Sequence, residues 1–158
     1  MKLYLIRHSE SLRNRGKEHD KLSEVGIEQS KRLGLFLKDR HIDYIYCSNL
    51  IRAKETLNFI LPNLKNKKDI VYTNDINEHD LGIFKEKSAK EWSYNLFELN
   101  DKGVDLLNYR PEGNGETLLE VEQRAQKFLN FLKQKYEFKD HILIVSHGMF
   151  LRLFILRL

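Results

Sequence analysis

Residues 3–9 read LYLIRHS, a short apolar run, Leu3–Ile6, that stops abruptly on an arginine and a histidine. A continuous apolar run of this length fits a strand buried on both faces. The pattern recurs near the other end of the chain, where His141–Val145 (HILIV) leads directly into Ser146, His147 and Gly148. Working outward, Tyr44–Cys47 and Ile70–Thr73 read as two further strands, and helical segments fill the intervals. Ser23 is placed to cap a helix that ends before Asp43 and whose Val25, Ile27, Leu33, Phe36 and Leu37 cluster on one side. Ser48 is placed to cap a second helix over 49–61, closed by Pro62. Residues 88–100 look helical, Thr117–Tyr136 carries Leu118, Val121, Ala125, Phe128, Leu129 and Leu132 at helical spacing, and helix resumes at Gly148. This strand–helix–strand order predicts an α/β fold: a mostly parallel sheet with helices on both faces. Ligands bind such sheets beyond the carboxyl ends of the strands, at a topological switch point.

Composition narrows the class. At 158 residues the chain has the length of one domain, 1–158. With 41% hydrophobic and 32% charged residues, 8 glycines and 2 prolines, it is neither a flexible linker nor a collagen-like repeat nor a disordered tail. The one cysteine, Cys47, cannot form an internal disulfide; it reads as a half-buried strand residue, and a reducing, cytoplasmic location is expected. The N-terminus lacks the long apolar region of a signal peptide, and no run approaches the roughly 20 apolar residues of a membrane span. The net charge of +4 permits anionic ligands. The densest basic run, LKNKKD at 64–69, has no interleaved aromatics, so it reads as a solvated loop and no nucleic-acid partner is expected.

The strand ends hold the chemistry. Arg7 and His8 follow the first, Ser48 and Arg52 the second, Glu78 the third, and Ser146, His147 and Gly148 the last. Each has an ordinary reading when taken singly: a surface arginine, a hydrogen-bonded histidine, a solvated glutamate. The six histidines show no HExxH spacing, a lone cysteine cannot build a thiolate zinc cage, and neither a P-loop nor a G-x-S-x-G elbow is present. A phosphoryl group suits the set better. Arginines offer paired donors to its oxygens, and an imidazole can donate to them or attack phosphorus.

At this point the sequence resembles a known family, the histidine phosphatase superfamily, also called phosphoglycerate mutase-like. LYLIRHSES with Asn14 resembles its Arg-His-Gly-Glu signature and downstream Asn, and LSEVGIEQSKRLG its first helix. SNLIRAKET, NEHDLGIF, PEGNGET and VSHGMFLR resemble its S-x-L-x-R-A-x-x-T, E-x-x-x-G, G-E-S/T and S-H-G elements, in the family's order. The resemblance implies that His8 is a nucleophile that becomes a phosphohistidine. Arg7, Asn14, Arg52 and His147 would surround the phosphate, and Glu78 would serve as general acid and then as base toward water. No cofactor and no metal are expected, because arginines and His147 supply the positive charge.

The implied activity is hydrolysis of a small phosphorylated metabolite. The alternatives are a mutase-type isomerisation and a non-catalytic phosphate-binding module. Retention of both His8 and Glu78 argues against the last, since binding alone needs no proton donor. A mutase must shield its phosphohistidine from water under a sizeable lid. The cap insertion expected near 79–115 is small for that, so hydrolysis is favoured. Phe84, Trp92, Tyr109 and Arg110 are the cap's candidates for lining a leaving-group pocket.

Two departures stand out. Ser9 occupies the place of the signature's Gly, where the backbone could require φ > 0 and where a hydroxyl is now set near the site. The family usually continues beyond the last helix, whereas this sequence ends at Leu158 after a segment in which only Arg152 and Arg157 are polar. A helix apolar nearly all round is expected to be buried on most of its surface. Truncation of a longer protein, or a homo-oligomer formed through this helix, is therefore expected.

Overall fold

Side chains along the strand His141–Ser146 (β4) alternate between two apolar layers. Ile142 and Ile144 enter one, with Val121, Phe128 and Phe150; Leu143 and Val145 enter the other, with Leu37, Ala53 and Leu57. A strand covered on both faces can be apolar at successive positions, as this one is from Ile142 to Val145. The computed structural model describes residues 1–12, 20–65, 69–86 and 97–158. In it β4 lies between Lys2–Arg7 (β1) and Tyr44–Ser48 (β2), with Ile70–Thr73 (β3) outermost, giving an all-parallel sheet in the order β1-β4-β2-β3. The α/β architecture read from the sequence is what the chain adopts.

Helices Glu24–Leu37 (α1) and Ile51–Ile60 (α2) cover one face. Leu118–Lys135 (α3) and Gly148–Ile155 (α4) cover the other. The chain leaving β1 turns toward α1, and the chain leaving neighbouring β4 turns toward α4. Adjacent parallel strands whose connections part to opposite faces open a crevice at their carboxyl ends. Arg7 and Ser146 are register partners there, so His8 and His147 emerge side by side.

Helix α1 begins as expected, with the Ser23 hydroxyl accepting the Gly26 N–H at 3.0 Å. Its buried face differs from the expected one. Gly26, Ser30, Gly34 and Leu37 are buried, while Val25 and Phe36 are exposed. The reason is close approach: a Cβ on Gly34 would lie 3.2 Å from the Ile60 backbone, and one on Gly26 only 1.9 Å from the Glu10 carbonyl oxygen. Small residues four apart let α1 lie against the Ser9–Glu10 segment at Gly26 and Ser30 and against α2 at Gly34, with Val25 and Phe36 turned outward.

Ser48 does not cap α2. Leu50 is the N-cap and makes no side-chain cap bond, whereas Ser48 ends β2 and is committed to the site described below. A 3-10 turn, Leu61–Asn63, containing Pro62 closes the helix. Cys47 is fully buried, not half-buried, and burial pushes its thiol up to about 12. Helix α3 starts in a capping box: Thr117 Oγ1 accepts the Glu120 N–H at 3.1 Å, and Glu120 Oε2 accepts the Thr117 N–H at 2.8 Å. Of the helix expected over 88–100, residues 97–100 are helical and 88–96 lie outside the described residues.

Helix α4 also corrects the reading. Phe150, Leu151 and Phe154 are buried against α3, each worth about 1.5–3 kcal/mol of burial, but Ile155, Leu156 and Leu158 are exposed. A short helix laid on one layer buries one stripe, whatever occupies its other face.

Candidate active site

The His8 N–H bonds to the Ser146 carbonyl at 2.9 Å, extending the β1–β4 ladder by one residue and fixing where the ring leaves the sheet. His8 Nδ1 lies 2.8 Å from the Ser9 carbonyl oxygen. A carbonyl only accepts, so Nδ1 carries the proton and Nε2 keeps its lone pair. Arg52 Nε donates to that nitrogen at 3.2 Å. Burial lowers the His8 pKa to about 4; the Ser9 bond opposes it, and the charges of Arg52 and Arg7 add smaller lowering effects. The nitrogen facing the arginine is therefore unprotonated at neutral pH.

Ser9 proves harmless in both respects raised by its departure from Gly. Asn114 is the one described non-glycine residue with positive φ, so the backbone at Ser9 needs no left-handed conformation. Its hydroxyl turns toward α1, where the Ser30 hydroxyl donates to it at 2.7 Å. The Ser9 N–H donates to Thr56 Oγ1 at 2.9 Å, which in turn donates to the Arg52 carbonyl at 2.7 Å. That chain ties the residues after His8 to the turn of α2 that carries Arg52.

Arg52 is buried and its second donor, Nη1, pairs with the Asp20 carboxylate. Asp20 was not foreseen; only the fold brings it to Arg52. Arg7 makes no hydrogen bond or ion pair with any described residue, and its guanidinium carbon lies 3.5 Å from where a Cβ on Gly148 would stand. Asn14 lies outside the described residues.

His147 is completely buried, its ring centroid 5.1 Å from that of His8. The Ser48 hydroxyl donates to Asn77 Oδ1 at 2.6 Å and accepts the Leu50 N–H at 3.2 Å. With its proton so used, Ser48 Oγ accepts from His147 Nε2, 2.6 Å away. His147 Nδ1 has no partner, alone among buried side-chain nitrogens and oxygens of the described residues. Burial, then the charge of Arg52, lowers the His147 pKa to about 2. Ser146 and His147, adjacent at the strand end, diverge: Ser146 Oγ donates to the Ile76 carbonyl at 2.6 Å.

Glu78 belongs to neither strand nor helix; it follows a 3-10 turn, Asn74–Ile76. Its Oε1 accepts the N–H groups of His79 at 3.0 Å, Met149 at 3.1 Å and Phe150 at 3.4 Å. Its Oε2 lies 3.8 Å from the Cβ position of Gly148, the same position that borders Arg7. The missing side chain of Gly148 thus leaves the carboxylate and the guanidinium facing one space. Of the cap candidates, Phe84 and Tyr109 are half-buried, and Trp92 lies outside the described residues. Arg110 is occupied elsewhere, donating to the Gly115 carbonyl at 2.7 Å and to Glu120 at 2.6 Å. It clamps the approach to α3 rather than lining a pocket.

The described site thus joins a neutral histidine with a free ring nitrogen, two arginines, a second histidine and a carboxylate at one sheet switch point. The family model of the histidine phosphatase superfamily (branch 1) matches residues 3–158, nearly the whole chain. The chain belongs to the histidine phosphatase superfamily. Within this superfamily it is 31% identical over 138 residues to the fructose-2,6-bisphosphatase TIGAR of Xenopus tropicalis, covering 82% of this chain and 49% of that protein. It is 28% identical over 163 residues to the adenosylcobalamin/alpha-ribazole phosphatase of Escherichia coli K12, covering 100% of this chain and 79% of that protein. The crystal structure of the alpha-ribazole phosphatase from Shigella flexneri superposes with a TM-score of 0.79 at 29% identity, over 99% of this chain and 79% of that one. The chain spans about half the length of the TIGAR relatives it matches.

Proposed function

We propose that the chain hydrolyses small phosphomonoesters through a phosphohistidine at His8. One observation carries the reading: the Nδ1–H bond to the Ser9 carbonyl leaves Nε2 unprotonated and facing Arg52. In the first step Nε2 attacks phosphorus, the phosphorus–ester oxygen bond breaks, and Glu78 gives its proton to the departing oxygen. In the second, water attacks the phosphohistidine, Glu78 takes the water's proton, the phosphorus–nitrogen bond breaks and phosphate leaves. Arg7, Arg52 and Asn14 hold the phosphoryl oxygens, and a P–OH of the bound monoanion is the donor that the unprotonated His147 Nδ1 lacks. Positioning and charge stabilisation account for most of such a reaction's acceleration.

Relatives named as phosphatases of small metabolites support the substrate class. The single-domain reading of 1–158, with a cap near 79–115 over the leaving group, belongs to the same proposal. So does a cytoplasmic location, for which the support is the lone, buried cysteine; no helix among the described residues is long and apolar enough to cross a membrane. Exposed Ile155, Leu156 and Leu158 support self-association through α4, which light scattering on the wild type and an L158 polar variant will measure.

Brief incubation with 32P-labelled substrate should trap an acid-labile, alkali-stable phosphoenzyme on wild type and none on His8→Ala, whose turnover is lost with its fold intact. An acid-stable adduct, or near-normal turnover of His8→Ala, overturns the proposal. Activity is expected to survive a chelator. With 3-phosphoglycerate the expected products are free phosphate or nothing; formation of 2-phosphoglycerate would make the chain a mutase.

A further inference from the structure

Glu78 has to hold a proton at a fixed point near the leaving oxygen, yet it sits in irregular backbone. Ser146 and Ser48 hold Ile76 and Asn77 from the strand ends, and the side chains that grip this backbone on both sides of Glu78 come from α3 and the residues just before it. Arg124 Nη1 donates to the carbonyls of Asp75 and Asn77, both at 2.9 Å, immediately upstream of Glu78. Its Nε and Nη2 grip Glu116 as a fork, at 3.1 Å to Oε1 and 2.9 Å to Oε2. Glu116 holds the downstream side: its Oε2 accepts the Asp80 N–H at 3.1 Å, its N–H donates to the Asp80 carbonyl at 2.8 Å, and its carbonyl accepts from His79 Nε2 at 2.7 Å. The Phe150 ring lies under the guanidinium, 5.2 Å from centroid to carbon, on the helix whose first N–H groups bind the Glu78 carboxylate.

We propose that Arg124 and Glu116 are positioning residues that aim the Glu78 carboxylate at the leaving-group oxygen. The inference rests on the phosphatase reading above. A guanidinium is required because its planar fork serves two carboxylate oxygens while a further N–H serves two carbonyls; a lysine ammonium keeps the charge and loses that geometry. The brace touches no reacting atom. It acts on proton delivery and leaves phosphate capture, which the strand ends govern, unchanged.

The test compares kcat/KM, which reports phosphoenzyme formation, for phenyl, 4-nitrophenyl and 2,4-dinitrophenyl phosphate. The better the leaving group, the less it needs a proton. R124K should lose about 10-fold on phenyl phosphate and almost nothing on the dinitrophenyl ester, steepening the dependence on leaving group. On a Glu78→Gln background the same substitution should change neither. E116Q keeps the Arg124–carbonyl bonds and weakens the downstream grip, so it should show a smaller selective loss; it keeps the question decidable should R124K unfold. Equal losses on all three esters, or a selective loss that persists without Glu78, overturns the inference while leaving the phosphatase reading intact. A wild type that forms no phosphoenzyme removes both.

Discussion

The two sides of the active site are held in different ways. The side proposed to take the phosphate, His8, Arg52 and His147, is set by main-chain pairing and by apolar layers: β1 and β4 run in register to the last residue, and all three side chains are buried. The proton side, Glu78, has no ladder. It is positioned by side-chain hydrogen bonds to its flanking residues, from Arg124 and Glu116 and, upstream, from Ser146 and Ser48, and by the first N–H groups of α4. Strand ends are displaced only by disturbing the core, whereas a hydrogen-bonded turn can be retuned by one substitution. Under the proposed reaction, phosphate capture is thus the rigid half of this site and leaving-group chemistry the adjustable one.

Four measurements bear on that contrast. The largest effect should come from Arg52→Gln, about 10³-fold in kcat/KM and equal across the three aryl phosphates, because it removes charge from the phosphoryl oxygens and the donor facing His8 Nε2. A loss confined to phenyl phosphate would place Arg52 on the proton side instead. Glu78→Gln should lose about 10²-fold on phenyl phosphate and little on the dinitrophenyl ester, the selectivity that defines an acid. Equal losses would dissolve the contrast between the two halves.

The third measurement is stability against pH. His8 and His147 titrate at about 4 and about 2 in the folded chain, below the ordinary 6.5. Below about pH 6.5 an unfolded imidazole takes up a proton that the folded one refuses. Stability contributed by this difference is complete above pH 6.5 and is lost as pH falls toward those lower values. The Tm should therefore drop between pH 7 and pH 4, and less steeply in a variant carrying His8→Gln and His147→Gln. An unchanged slope would mean the rings are not desolvated. The smallest effect belongs to Thr117→Ala, which removes the capping box of α3. It should cost about 1 kcal/mol, or about 2–4 °C in Tm, without altering leaving-group dependence.

Much of the rigid half was legible from residue order alone. Apolar runs that end in Arg7-His8 and Ser146-His147 announce strands and chemistry together, because a buried strand leaves no other place for polar residues. The braces were not legible. Arg124 and Asn77 stand 47 positions apart, and Ser48 looks like a helix cap because serine serves both purposes. Asp20 and Asn77 carry no local signature at all. One signal was present and unused: Glu116 and Arg124 lie eight residues apart across the start of α3, a spacing of about two turns that brings opposite charges together. The small-residue face of α1 was similarly visible as Gly26, Ser30 and Gly34 at steps of four, but apolar periodicity favoured the bulkier Val25 and Phe36.

Cys47 gives this scaffold a built-in reporter. The thiol is the chain's only one, it has no solvent exposure, and it lies between Ile45 and Ser48 on the strand whose register partner at that point is Val145. A disulfide reagent can reach it only when the α1–α2 layer opens from the sheet. Its labelling rate under native conditions then measures how often the layer beside His8, the proposed nucleophile, comes apart. Because reaction requires the thiolate, which burial disfavours, the closed state contributes almost no background. Comparing that rate with loss of phosphoryl-transfer activity on heating would show whether inactivation begins in the nucleophile's layer or in the turn around Glu78.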